Sequence, residues 1–172
     1  MKSLVDHLSQ YAAYHRDPRN IATHFIGIPL IVVAVAILLS RPQWAGGWFS
    51  PAVLVSLLSA WFYLRLELRL GALMTVLLGL CAWAGHALAQ QSTGVWLATG
   101  VGMFVVGWAI QFVGHHYEGR KPAFVDDVTG LIVGPLFVVA ELAFLLGMRH
   151  ELKEQIEARA GGVRVNPKRA AV

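Results

Sequence analysis

This chain predicts an all-α fold: an integral membrane helical bundle with four or five membrane-embedded helices and an N-terminal amphipathic helix. Three observations carry that prediction. Hydrophobic residues make up 56% of the 172 residues and charged residues only 14%, against about 25% charged in an ordinary soluble domain. Apolar runs near the roughly 20 residues that a bilayer core requires recur along the chain. Basic residues gather in alternate loops between those runs, the pattern of membrane-flanking charge.

The elements follow in order. In the opening twenty residues, MKSLVDHLSQYAAYHRDPRN, Leu4, Leu8 and Tyr11 recur at helical spacing, which predicts an amphipathic segment on the membrane surface. Acids and histidines precede any apolar run, so the segment does not read as a signal peptide. The first span covers residues 21–40. The loop RPQWAGGWFSP follows, with Gly and Pro punctuation and with Trp44 and Trp48 placed at interface depth. The second span, 52–66, is short and leaves Arg65 to snorkel at its end. The third covers 70–89 and the fourth 95–115. The fifth apolar run, GLIVGPLFVVAELAFLLGM, is interrupted by Pro135, which removes a helix hydrogen bond, and holds Glu141, which needs a partner or a cavity.

Arg16 and Arg19, then Arg65 and Arg69, then Arg120 and Lys121 mark one face of the membrane, and the positive-inside rule makes it cytoplasmic. The tail is basic too, with Arg149, Lys153, Arg159, Arg164, Lys168 and Arg169. A fifth segment that crosses fully would put this tail on the wrong side, so a broken or re-entrant segment is the expectation. The organisation predicted is therefore an amphipathic segment at 1–20, the bundle at 21–148 and a basic cytoplasmic tail at 149–172. Cys81 is the lone cysteine, which excludes a disulfide within the chain and a CxxC metal site. The net charge of +4 lies in loops and tail with no basic stripe interleaved by aromatics, so nucleic acid is not an expected partner. The lipid bilayer is.

Topology also sorts the histidines. His15 and His24 lie at the entry of the first span, and His115 and His116 at the exit of the fourth, so all four share one depth. His86 belongs to the opposite leaflet and reads as a packing residue. His7 and His150 read as solvated. Asn20 and His24 are four apart and share a helix face, as do Gln111, His115 and Glu118. His116 points about 100° away from that face. Asp17-Pro18 breaks the helix and allows His15 to fold back towards the same centre. Neutral imidazole is a common ligand for iron, zinc, copper and nickel. The four histidines without a thiolate suit a redox iron site or a zinc hydrolase, with Glu118 completing the shell or orienting a histidine through its second nitrogen. One HH and no HxxxH box favour a mononuclear site.

The motifs carry a resemblance as well. YAAYHRDPRNIATHFIGIPL resembles the opening motif of a small membrane family related to the yeast 2-hydroxy fatty acid dioxygenase, with its pattern Tyr…His…Asn…His…Gly-x-Pro. QFVGHHYEGRKPAFVDDVTGLIVGPLFVVAE resembles that family's second motif. The resemblance implies an iron(II)-dependent dioxygenase that converts a 2-hydroxy fatty acid and O2 to the fatty acid one carbon shorter and CO2. It implies His15, His24 and His115 as the Fe(II) ligands, with His116 an extra candidate. Glu118 and Asn20 are then expected as catalytic residues. Gln111, Arg120 and Lys121 are expected to bind the substrate, the two basic groups meeting its carboxylate near the cytoplasmic face of a bacterial inner membrane. This reaction balances without an external reductant, and no GxGxxG dinucleotide motif is visible. Three other readings compete with it: a haem or quinone electron carrier, a small transporter using Glu141 and the broken fifth segment, and a zinc hydrolase.

Overall fold

A computed structural model describes residues 2–44, 47 and 49–164, so Trp48, Lys168 and Arg169 lie outside the described residues. Every element among these residues is helical, apart from one isolated bridge pairing Trp44 with Phe49. In chain order the helices are α1 (Leu4–Ala12), α2 (Pro18–Leu39), α3 (Pro51–Leu66), α4 (Leu68–Ala89), α5 (Thr93–Glu118), a 3₁₀ turn (Ala123–Val125), α6 (Gly130–Leu145) and α7 (His150–Ala160). Three of them, α2, α4 and α5, are long and apolar enough to cross a membrane, and α6 with α7 makes a fourth if the pair counts as one bent span. The apolar α3 is shorter, at 16 residues.

Two compact units divide the chain: residues 1–25 with 111–172, and residues 26–110. In the second unit, α3 and α4 form a hairpin whose hinge is a single residue. Glu67 is extended, ends α3, and caps α4 by accepting hydrogen bonds from the Arg69 and Leu70 N–H groups. Trp61, Leu68 and Trp83 are exposed on this hairpin, and only 17% of the apolar window of α4 is buried. Such apolar exposure suits lipid and not water. On α2, Ala34 and Ile37 are fully buried. A Cβ at Gly85 of α4 would stand 2.6 Å from the Ala36 carbonyl oxygen, so these two helices approach to a distance only glycine permits. Arg41 closes this end of the unit by donating to the Ala89 and Gln91 carbonyls.

In the first unit, α1 is set by a capping box. Ser3 Oγ accepts from the Asp6 N–H, and the Ser3 N–H donates to the Asp6 carboxylate. Leu4, Leu8, Tyr11 and Ala12 form its buried stripe, and α1 packs on α6 and α7. The chain turns between α6 and α7 by 118°, with Arg149 at φ 61° in the left-handed region. That bend brings α7 back onto α1, where Arg159 pairs with Asp6. The expected basic tail is thus partly an amphipathic helix lying beside the N-terminal one. Glu141, expected to need a partner or a cavity, pairs with the buried Arg16 at 3.8 Å.

The cap gives a pH prediction. The Ser3 N–H first, then the Ser3 hydroxyl and Arg159, hold the Asp6 carboxyl down to about 2 from its ordinary 3.8. Its folded pKa is depressed, so its contribution to α1 is complete above the ordinary value and is lost as pH falls towards 2. Protection of the amides at the start of α1, relative to their intrinsic exchange rates, is expected to fall across that window. Asp6→Asn is expected to abolish this dependence.

Candidate metal centre

The site is built where the α1–α2 turn meets the end of α5, all within the first unit. Asp17 caps α2: its Oδ1 accepts from the Arg19 N–H, and Pro18 stands at the first helical position. The preceding turn leaves His15 fully buried. Nearly two turns into α2, His24 is equally buried, and the last turn of α5 supplies His115. One potential ligand atom from each of these three lies within 4.8 Å of the other two. The ring centroids are 4.4–5.1 Å apart, and the three ring planes cross pairwise at 67–82°. Three imidazoles therefore converge edge to face on one point.

The hydrogen bonds fix which nitrogens face that point. His15 Nδ1 lies 2.7 Å from the Tyr11 carbonyl oxygen, and His24 Nδ1 lies 2.8 Å from that of Asn20. A carbonyl only accepts, so both Nδ1 atoms carry protons and both Nε2 atoms present lone pairs. Those two Nε2 atoms stand 3.0 Å apart. Two facing lone pairs at that distance repel unless a cation lies against both. A proton is a poor candidate: burial first, and then His24 beside it, drives the His15 pKa well below its ordinary value. A metal ion fits, because bonds of about 2.0–2.1 Å let two nitrogens of one ion sit up to about 4 Å apart. His115 Nδ1, Asn20 Oδ1 and Gln111 Oε1 are also buried without a hydrogen-bond partner. Buried polar atoms are rarely left so, and the unpartnered His115 nitrogen beside the other two rings is a place for a cation.

Around the histidines lies a second set of contacts. Glu118 Oε2 accepts from the N–H groups of Arg16 (3.0 Å) and Asp17 (2.8 Å) and from Asn20 Nδ2 (3.0 Å). The last residue of α5 thus grips the turn that carries His15, and places negative charge at the N-terminus of α2, where the helix dipole favours it. Tyr11 stacks on the His15 ring with centroids 4.2 Å apart. On α5, Gly114 lets α2 come close: a Cβ there would overlap Thr23 Oγ1 and stand 2.5 Å from Asn20 Oδ1. Gly114→Val is expected to destabilise the first unit by about 1–3 kcal/mol through overpacking, read as a lower thermal midpoint in detergent. The same change is expected to weaken metal binding, because Asn20 must move.

The residues expected from sequence are thus distributed as follows. His15, His24 and His115 meet. Asn20, Gln111 and Glu118 are also buried, Asn20 meeting His24 through its carbonyl and Glu118 through its side chain. His116 is exposed and its ring lies near Tyr117, away from the trio. Arg120 is exposed and donates to the Ala13 carbonyl, while the exposed Lys121 pairs with Asp126 at 2.5 Å. His86, also exposed, contacts Gln43 in the other unit. Sequence reasoning passed over Tyr11, whose carbonyl and ring both serve His15. The signal was present in the i, i+4 spacing of Tyr11 and His15.

A family model described as 2-hydroxy-palmitic acid dioxygenase Mpo1-like matches residues 1–146. The chain is 35% identical over 161 residues to the 2-hydroxy-palmitic acid dioxygenase MPO1 of Saccharomyces cerevisiae, covering 91% of this chain and 90% of that one. No solved structure matches it.

Proposed function

Because this chain belongs to the Mpo1-like 2-hydroxy-palmitic acid dioxygenase family, we propose that it is a non-haem iron(II) dioxygenase acting on a 2-hydroxy fatty acid in the membrane. The substrate R–CH(OH)–COOH and O2 give R–COOH, CO2 and H2O, which balances with no further reductant. The observation that carries the reading is the pair of bare Nε2 atoms of His15 and His24, 3.0 Å apart with His115 beside them. A bound iron ion would be held by these three histidines and would supply O2 activation, with positions left for substrate.

The chain's own residues supply the rest. The Tyr11 and Asn20 carbonyls hold the two imidazoles in the tautomer that directs Nε2 inward, as partners of metal-bound histidines do. Glu118 acts as a positioning residue through the Arg16 and Asp17 amides, and Asn20 braces its carboxylate. Gln111 stands one turn before His115 with Oε1 buried and unpaired, an acceptor suited to the 2-hydroxyl of the substrate. The carboxylate end lies towards Arg120 and Lys121, and the acyl chain among the apolar helices. The exposed basic residues Arg19, Arg120 and Lys121 near the site support a cytoplasmic orientation.

The haem reading fits less well. The His15 and His24 Nε2 atoms stand 3.0 Å apart, which leaves no room for a porphyrin between those two rings.

The test is direct. Detergent-purified protein loaded anaerobically with Fe(II) is expected to bind one ion, consume O2 and release CO2 from 2-hydroxypalmitate. Protein that takes up no metal and shows no turnover after loading would refute the proposal. Tight zinc binding with hydrolysis but no O2 uptake would replace it with the hydrolase.

A further inference from the structure

Glu118 is held from its other side by a part of the chain outside the family match, which ends at residue 146. After α7, residues 161–164 run back to the turn that carries His15. The Arg164 N–H donates to the Arg16 carbonyl (2.8 Å), and Arg16 Nη1 donates to the Gly161 carbonyl (2.8 Å). The Arg164 guanidinium lies 3.1 Å from Glu118 Oε1, the oxygen that makes no hydrogen bond. That carboxylate is fully buried, whereas Arg164 is 53% exposed.

We infer that residues 161–164 form a strap over the metal centre and that Arg164 is a positioning residue for it, acting on His15 through Glu118 and the Arg16 main chain. The physical reason is division of labour between the two carboxylate oxygens. Oε2 spends its lone pairs on three donors that shape the His15 turn. Its partner oxygen is buried and charged, and a charge in such a place is costly unless paired. Arg164 is the cation that pairs it, and the strap's main-chain bond to Arg16 aligns the two. Two clamps therefore act on adjacent residues: Glu118 holds the amides of Arg16 and Asp17, and the strap holds the carbonyl and side chain of Arg16. Between them they fix the turn immediately after His15. Because Arg164 is half exposed, a change of its charge is compatible with folding.

The test uses the full chain with Arg164→Glu and Arg164→Lys, and two readouts. One is amide exchange of metal-free protein. The other is Co(II) affinity by chelator competition, which rests on the metal reading proposed above. Arg164→Glu is expected to speed exchange at Arg16 and Asp17 by about tenfold, with α6 and residues 26–110 unchanged. It is expected to weaken Co(II) binding by about tenfold, the range seen when partners of metal ligands are lost. Arg164→Lys is expected to restore both. Unchanged exchange at Arg16 and Asp17 in the Glu variant overturns the inference. So does faster exchange throughout the first unit, since that is a structural role without positioning. If the unaltered chain binds no Co(II), the metal reading fails, while the exchange data still decide the strap.

Discussion

Replacing His15, His24 or His115 singly with alanine is expected to abolish stoichiometric iron binding, while His116→Ala and His86→Ala retain it. The expected loss exceeds the roughly 10–100-fold that removal of a supporting partner costs, because each change deletes a donor atom. The three rings are buried and mutually in contact, so each alanine also leaves a cavity. Metal content and thermal midpoint must therefore be measured on the same samples. Removing His15 or His24 ends the opposition of two Nε2 lone pairs in the metal-free protein. Those two variants are expected to be less destabilised, metal-free, than His115→Ala. A structural role alone predicts no such order. Retention of one iron per chain by His24→Ala would overturn the assignment, as would its loss in His116→Ala.

Glu118→Ala is expected to have the second largest effect, and to act on both stability and metal. It strips the partner from the Arg16 and Asp17 amides and from Asn20 Nδ2. Each buried donor left unpaired costs about 1–3 kcal/mol, so the first unit is expected to lose about 3 kcal/mol or more. Glu118→Gln keeps one acceptor oxygen and the shape, and is expected to lie between wild type and alanine in thermal midpoint and in iron affinity. Were Glu118 a direct ligand, the glutamine variant would lose iron as fully as a histidine variant, with stability little changed. The two measurements together distinguish positioning from ligation.

The convergence of His15, His24 and His115 was legible in the sequence, because an up-and-down helix count puts both ends at one depth and Asp17-Pro18 announces the break that turns His15 inward. The shared face of Gln111, His115 and Glu118 was legible from spacing alone. What that face meets was not. Glu118 looked like a ligand or an orienting partner for a histidine, whereas its oxygens are spent on main-chain N–H groups of a turn, and the path of a turn is not written in side-chain periodicity. Arg16 and Glu141 were both visible as charges in awkward places, but pairing them requires knowing that α6 packs beside α1. The sharp return of α7 depended on one left-handed residue, Arg149, an arginine where glycine or asparagine would have signalled the turn. The close approach at Gly85 and Gly114 was readable in principle as small residues on membrane helices, yet glycine is too common in this chain for any one to stand out.

The order of the ligands along the chain constrains biogenesis. His15 and His24 emerge early from the ribosome, flanking the first span, but two histidines alone are a weak trap for iron. The third donor arrives only when α5 is synthesised, and the residues that brace the first two come later still, from the end of α5 and from the segment after α7. The centre therefore assembles only after α5 and the segment following α7 have been made. A nascent chain passing through the insertion machinery carries no assembled site in which to trap an ion. Under the metal reading proposed above, loading of the centre is consequently a post-insertional event.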